Sequence, residues 1–378
     1  MFHEAGASDV TGLSITDVDL NALSPHETMW PERQAFLASQ GYHLRPRYHP
    51  NWVPSWTKDP TLVSERCPDY VRLPLRFGQI DATTTEGRSV YLKQVATNSE
   101  ELRITRIFSE PLLRGDPQNH CVPVLDTFTD DKDERITYIV MPFLHPMNEP
   151  EFYSVGDVVD FVDQVLEGLA FMHRNGVAHR DCARRNIMME ARSLFPEGHH
   201  PVLTRRTPDL QGFARQYTRQ EAFPPVRYLF IDFGLSSHIP PGQSRLVVGV
   251  FSQDKEVPEL SRTVPYDAFK LDVFVLGNVF RRHIHDLFYR VEFLQPFVRE
   301  MTATNPSARP DAEDVLARWK SVRSRLWALH LIRRLRKREE GVVEAFALDI
   351  VALLRLSYLL AKRFAKWSVA WLRLLFCL

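Results

Sequence analysis

The stretch "GVAHRDCARRNIMM", residues 176–189, sets Asp181 among Arg180, Arg184 and Arg185, with Asn186 five residues beyond the acid. A loop that only turns the chain has no use for that pattern. Downstream, "YLFIDFGLS", residues 228–236, puts a single acid, Asp232, after an apolar strand and before Phe-Gly. Phosphoryl transfer needs oxygen ligands for magnesium, a lysine on the phosphates and a carboxylate at the incoming hydroxyl. If the two stretches converge, Asn186 and Asp232 hold metal and Asp181 accepts the hydroxyl proton. A metal-site hydrolase uses similar residues, but the further histidines or carboxylates it needs are not nearby.

Working outward, the segment before the loop, "VGDVVDFVDQVLEGLAFMHRNG", reads as a long helix. It is apolar at Val158, Phe161, Val162, Val165, Leu166, Leu169 and Met172, and Gly176 ends it. Helical stretches also follow at "DAFKLDVFVLGNVFRRHI", "VEFLQPFVREMT" and "DAEDVLARWKSVRSRLWALHLIRRLRKREE". Upstream are short strands, "RFGQIDA", "RSVYLKQV", "CVPVLDTFTD" and "RITYIVMPF", with one helix, "SEELRITRIFSEPL", capped by Ser99. The expected class is α+β in two lobes, β-rich over residues 70–144 and helical over 145–325, with an insertion at about 190–227. Residues 1–28 read as a poorly ordered acidic terminus. Residues 29–69 read as a lead-in, with a short helix ending at Gly41 and then an extended Pro- and aromatic-rich segment. Residues 326–378 form a basic and apolar helical tail.

The 378 residues are 44% hydrophobic, enough for a sizeable core. Four scattered Cys (Cys67, Cys121, Cys182, Cys377) with no paired spacing argue against a disulfide framework or zinc cluster and fit an intracellular, cytoplasmic setting. The acidic N-terminus is not a signal peptide. Zero net charge hides an asymmetry. Residues 323–378 carry 12 Lys/Arg against 4 Asp/Glu, so the body has eight more acids than bases. The tail is expected to have a partner; nucleic-acid binding by the body is not.

With these residues in view, the sequence resembles the eukaryotic protein kinases. "HRDCARRN" matches H-R-D-x-x-x-x-N, "DFG" at 232–234 the magnesium motif, and "VYLK", ending at Lys93, the strand pattern V-A-I-K. "VPE" at 257–259 resembles the end of the activation segment, "DVFVLG" at 272–277 the helix with a buried Asp, and "ARP" at 308–310 supplies Arg309. The lead-in, the insertion, "VPEL" and "DVFVLGN" are similar to kinase-like proteins abundant in mushroom-forming fungi. The resemblance implies a two-lobed kinase-like fold using ATP and Mg2+. It makes Asp181 the catalytic base and Asn186 and Asp232 the metal ligands. Lys93 sits on the phosphates, paired with Glu101 (Glu100 as fallback). Met141 is the gatekeeper and Leu144 the hinge residue, with Ile80 and Met188 about the adenine. Arg180, Gly234, Glu259, Asp272 and Arg309 are structural, Asp272 orienting the catalytic loop and Arg309 pairing with Glu259. Ser244 or Ser252 is a candidate for phosphorylation facing Arg180.

Three departures stand out. The glycine loop aligns with "LPLRFGQI", residues 73–80, where only Gly78 remains and Leu73 and Leu75 replace glycines. Tyr91 takes the small position of V-A-I-K. Ala183 replaces the usual loop lysine, so Arg185 is expected to restore its charge, as in tyrosine-kinase loops. The insertion contains "GHH", read as a solvated turn in preference to a metal site. Two functions therefore stay open. One is an ATP- and Mg-dependent protein kinase acting on Ser/Thr or Tyr hydroxyls of an unknown substrate. The other is a pseudokinase scaffold with little or no turnover. A small-molecule kinase is a third, disfavoured by the Glu259–Arg309 pair.

In the tail, residues 342–361 are mostly apolar but hold Glu344, Asp349 and Arg355, costly in a spanning helix. Glu344, Arg355, Lys362, Lys366 and Arg373 share one face, with Asp349 off it. This pattern favours a helix lying on the cytoplasmic face of a membrane, the basic run meeting anionic lipid, over a span; packing on the second lobe or a partner protein are the other readings.

Overall fold

The computed structural model describes residues 21–59, 61–70, 77–355, 357 and 361. The chain forms two lobes, a β-rich one and a helical one. Among the described residues, the first comprises those up to Thr97, Leu125–Phe143 and Phe195–Gln216; the second comprises Asn98–Val124, Leu144–Leu194 and those from Tyr217 on.

The first lobe is a five-stranded antiparallel sheet of β1 (Tyr42–His43), β2 (Gln79–Thr84), β3 (Ser89–Ala96), β4 (Asp126–Thr129) and β5 (Ile136–Pro142), in the order β1-β2-β3-β5-β4. Alternation along β3 buries Val90 and Leu92. The register sets Ile80, Leu92 and Val140 side by side across three strands. The helix Trp30–Ser39 closes the core with Trp30 and Leu37. The lead-in after it is fastened by charge. Arg45 pairs with Asp81 of β2 at 2.9 Å, and buried Arg47 bonds Glu27 at 2.8 Å while its guanidinium lies over Trp52. Glu27 therefore ties residues 21–28 to the lobe, contrary to a poorly ordered terminus there. Residues 1–20 lie outside the described residues.

The second lobe is built on the helix Val155–Arg174. A capping box of Ser154 and Asp157 starts it, and every apolar position of the sequence pattern is buried. Gly168 lets another segment close in, since a Cβ there would lie 2.7 Å from that of His120. Gly176, at φ +71°, supplies the left-handed turn after the helix. The helix Ala268–Phe280 is almost wholly buried, which explains its near-continuous apolar run.

Three placements differ from the sequence reading. The helix Glu100–Ser109 groups with the second lobe, because Phe108 packs against Phe171 and Phe233 at 5.9 and 5.7 Å. Only the later half of "CVPVLDTFTD" joins the sheet; Cys121 bridges to Phe230 in the second lobe. The insertion links the paired strands Ile187–Glu190 and Arg227–Phe230. Its final part is anchored by buried Arg219, which donates to the carbonyls of Met147, Pro150 and Glu151. In "GHH", His200 is buried, not solvated, and its Nδ1 accepts from the N–H groups of Val202 and Leu203.

Burial pushes the pKa of His120 down to about 4 from 6.5. Its Nδ1–H donates to the Tyr228 carbonyl at 3.0 Å, and Glu167, 3.8 Å from Nε2, is too far to bond it. The unfolded chain takes up this proton near 6.5 and the folded chain only near 4. Stability is therefore complete above 6.5 and falls as pH drops toward 4, by on the order of 3 kcal/mol. Urea unfolding across this range should show the fall, and His120→Asn should reduce it. Identical pH slopes would refute the assignment.

Candidate active site

Asp272 is fully buried and holds the loop Val177–Asn186 from below. Its Oδ2 accepts from the His179 N–H at 2.7 Å and lies 2.9 Å from His173 Nε2; its Oδ1 accepts from the Arg180 N–H at 2.6 Å. Arg180 adopts φ +64°, a conformation that costs a non-glycine residue energy and that these bonds hold in place. Cys182 donates to the Asp272 carbonyl at 3.3 Å, and burial pushes its thiol well up, so it packs and does not react.

Asp181 is buried and both its oxygens are occupied. Oδ2 accepts from Asn186 Nδ2 at 2.9 Å and Gln253 Nε2 at 2.8 Å. Oδ1 accepts from the Gln253 N–H at 2.7 Å and Ser252 Oγ at 3.3 Å. Asn186 also donates to the Asp181 carbonyl, leaving its own amide oxygen as the group available to a cation. Its backbone carbonyl accepts from the Ile231 N–H at 2.9 Å, which brings the residue preceding Asp232 to the loop. Asp232 is left-handed at φ +64°. Its Oδ1 would lie 3.2 Å from a Cβ on Gly234, and Glu101 Oε2 3.3 Å from the same point, so the position favours glycine. Glu100 is engaged elsewhere, with Arg103 and the His238 N–H.

Asp181, Asn186, Asp232, Gly234, Glu101, Arg180 and Asp272 thus all belong to the second lobe. Glu259 and Arg309 join it through a two-point ion pair of 2.5 and 2.9 Å. Leu144 is also there; Arg185 is exposed on the short turn Arg184–Asn186. Arg185 is not among the donors to Asp181. Lys93, Gly78, Ile80, Met141 and Tyr91 lie in the first lobe, Lys93 on β3 opposite Gln79 and Ile139. Gly78 takes φ +72° beside Gln94. Tyr91 directs its hydroxyl to Gln79 Oε1 at 3.1 Å. Leu73 and Leu75 lie outside the described residues.

Two residues near Asp181 carry no mark of that position in the sequence: Gln253, and Ser252, which reads there only as a phosphorylation acceptor. No spacing rule marks them, because their position follows from the path of residues 236–259. Buried Ser252 facing a carboxylate is not an open acceptor. Arg180 donates to Ser237 Oγ (3.2 Å), the Val248 carbonyl (3.0 Å) and the Tyr266 hydroxyl (3.3 Å), so protein groups already hold it. Among the described residues no cluster of three His, Cys, Asp or Glu is placed to bind a metal. Asn186 and Asp232 would supply two oxygen ligands if they bound one ion, a number that suits magnesium keeping waters and phosphate oxygens as its other ligands.

A family model described as "Protein kinase domain" matches residues 77–289. Among curated proteins the chain is 24% identical over 207 residues to the meiosis induction protein kinase IME2/SME1 of Saccharomyces cerevisiae, covering 52% of this chain and 29% of that one. It is 22% identical over 140 residues to the tyrosine-protein kinase RYK of Mus musculus, covering 30% and 23%. It is 30% identical over 117 residues to sperm motility kinase 1 of Mus musculus, covering 31% and 17%. The chain spans less than a third of the length of each of these relatives.

Proposed function

This chain belongs to the protein kinase family, and we propose that it is an ATP- and Mg2+-dependent kinase that transfers the γ-phosphate to a protein hydroxyl, Ser/Thr or Tyr. The observation that carries the reading is the loop geometry. Asp181 and Asn186 sit on one frame fixed by Asp272, joined through the Ile231 N–H to the residue before Asp232. In this reading Asp181 receives the acceptor's proton, Asn186 and Asp232 hold magnesium, and Lys93 contacts the phosphates. When bound, the magnesium neutralises charge developing on the phosphates. Within the family, the lead-in, the insertion and "VPEL" support a place among the kinase-like proteins of mushroom-forming fungi.

The reading is tested by following labelled phosphate from ATP to mixed Ser, Thr and Tyr peptides, with magnesium and with a chelator. Phosphoamino-acid analysis then identifies the hydroxyl. Folded protein that neither transfers phosphate nor binds ATP with magnesium would leave the scaffold reading.

One observation favours the second reading, a kinase-like protein with little turnover: Gln253 covers the carboxylate an incoming hydroxyl has to reach. The covering bond is to a charged group, worth about 1.5–3 kcal/mol. Gln253→Ala removes the Nε2 bond and keeps the backbone one, so peptide phosphorylation should rise roughly tenfold, which is about 1.4 kcal/mol. A rate that falls would instead make Gln253 a support of Asp181.

A further inference from the structure

Residues 342–355 form a helix that turns Asp349 and Arg355 toward the domain and leaves Glu344 exposed. Asp349, off the charged arc in the sequence, accepts from Arg290 Nη2 and Arg334 Nε, each at 2.9 Å. Arg355 lies over Tyr153, with Glu221 at 3.4 Å. Ala345 is buried and Ala352 half-buried on this same side. The opposite arc holds Val343, Phe346, Ala347, Ile350, Val351, Leu353 and Leu354, with exposed Glu344 at its edge. Val343 is 84%, Phe346 69% and Leu354 66% exposed. A helix on a water-facing protein surface has the reverse arrangement, and an apolar face of this extent marks an interaction site.

The structure points to a phospholipid bilayer surface as the occupant, and we propose that this helix seats its outward face in the acyl–headgroup boundary. Two observations favour lipid. The outward arc is apolar apart from Glu344 at its edge and Ser357 one turn on, whose hydroxyl bonds the Leu353 carbonyl, so it gives a protein partner little direction or register, which a fluid acyl layer does not require. The sequence that follows, residues 356–378, contains Lys362, Arg363, Lys366 and Arg373, no acid, and Trp367 and Trp371 among apolar residues. That composition suits an anionic headgroup layer. The run "RRLRKR", expected to face lipid, is largely engaged within the domain instead. Arg334 bonds Glu340 and Asp349, Lys337 pairs with Glu151, and Arg336 and Arg338 lie over Tyr289. The electrostatic share of binding therefore falls to the residues after Arg355. Among the described residues no helix is long and apolar enough to cross a membrane.

The test is flotation of the full chain with phosphatidylcholine vesicles, with and without phosphatidylserine, beside a Phe346→Asp/Leu354→Asp variant. Both side chains are exposed, so the variant should unfold at the wild-type temperature. The expected result is vesicle binding by wild type, stronger with phosphatidylserine, and at least a tenfold loss in the variant. Wild type that stays with the pellet in both vesicle types would overturn the proposal, as would a variant that floats like wild type. A wild-type dimer that the variant dissociates, without vesicle binding, would also overturn it and assign the face to a second copy.

Discussion

Asp181→Asn is expected to lower peptide phosphorylation by about 10²–10⁴-fold, the usual cost of losing a general base. The substitution keeps shape and removes charge. Asn Oδ1 still accepts from the Gln253 N–H, but its new amide N–H2 would face the donors Asn186 Nδ2 and Gln253 Nε2. One or both of those bonds is lost. The loop should survive, because its backbone is held by Asp272 through the N–H groups of His179 and Arg180 and not by the Asp181 side chain. The unfolding temperature should therefore shift by only a few degrees, as a loss of about 1 kcal/mol implies. Initial rates with labelled ATP, read beside thermal unfolding, separate the two effects. An undiminished rate in a folded variant would remove Asp181 from the chemistry. A lost rate with a lost fold would make its role structural.

The parts of this fold that were legible in the sequence are those fixed by local chemistry. The helix Val155–Arg174 announces itself by period and cap, and Asp181 with Asn186 by a spacing that one loop suffices to realise. The placement of Asp272 beneath that loop followed from the resemblance of "DVFVLG" to the kinase helix with a buried Asp. What stayed hidden depends on long-range packing. The helix Glu100–Ser109 has the sequence of an amphipathic element in a β-rich region, and nothing local says that Phe108 will choose Phe171 and Phe233. Gln253 reaches Asp181 only because the chain from Ser236 to Glu259 takes a particular path, 72 positions along from its partner. The tail shows the same limit. A helical wheel orders its charges but cannot tell that Asp349 will find Arg290 and Arg334, which turns the apolar arc outward.

Arg309→Met should cost about 3–5 kcal/mol of stability, the range for breaking a buried ion pair by removing one partner. The Arg309 side chain is fully buried, and that of Glu259 is 9% exposed. The guanidinium does more than neutralise Glu259. It donates to the carbonyls of Ala303 at 2.8 Å and Lys270 at 3.0 Å, and lies 4.5 Å from the centre of the Phe274 ring. Methionine fills the volume and leaves the carboxylate without a partner and these carbonyls without a donor. A typical domain has only about 5–15 kcal/mol in total, so the variant should approach the threshold of folding. The double variant Arg309→Met/Glu259→Leu separates the two parts. Removing the stranded charge should recover much of the loss, and the remainder measures the orphaned carbonyls. If the single variant unfolds within about 0.5 kcal/mol of wild type, as an exposed substitution would, the pair does not anchor the end of the activation segment. The position of Gln253, six residues before Glu259, would then need another restraint. If instead the double variant recovers stability but not peptide phosphorylation, the charge pair holds the end of the activation segment in an arrangement that hydrophobic packing alone does not reproduce.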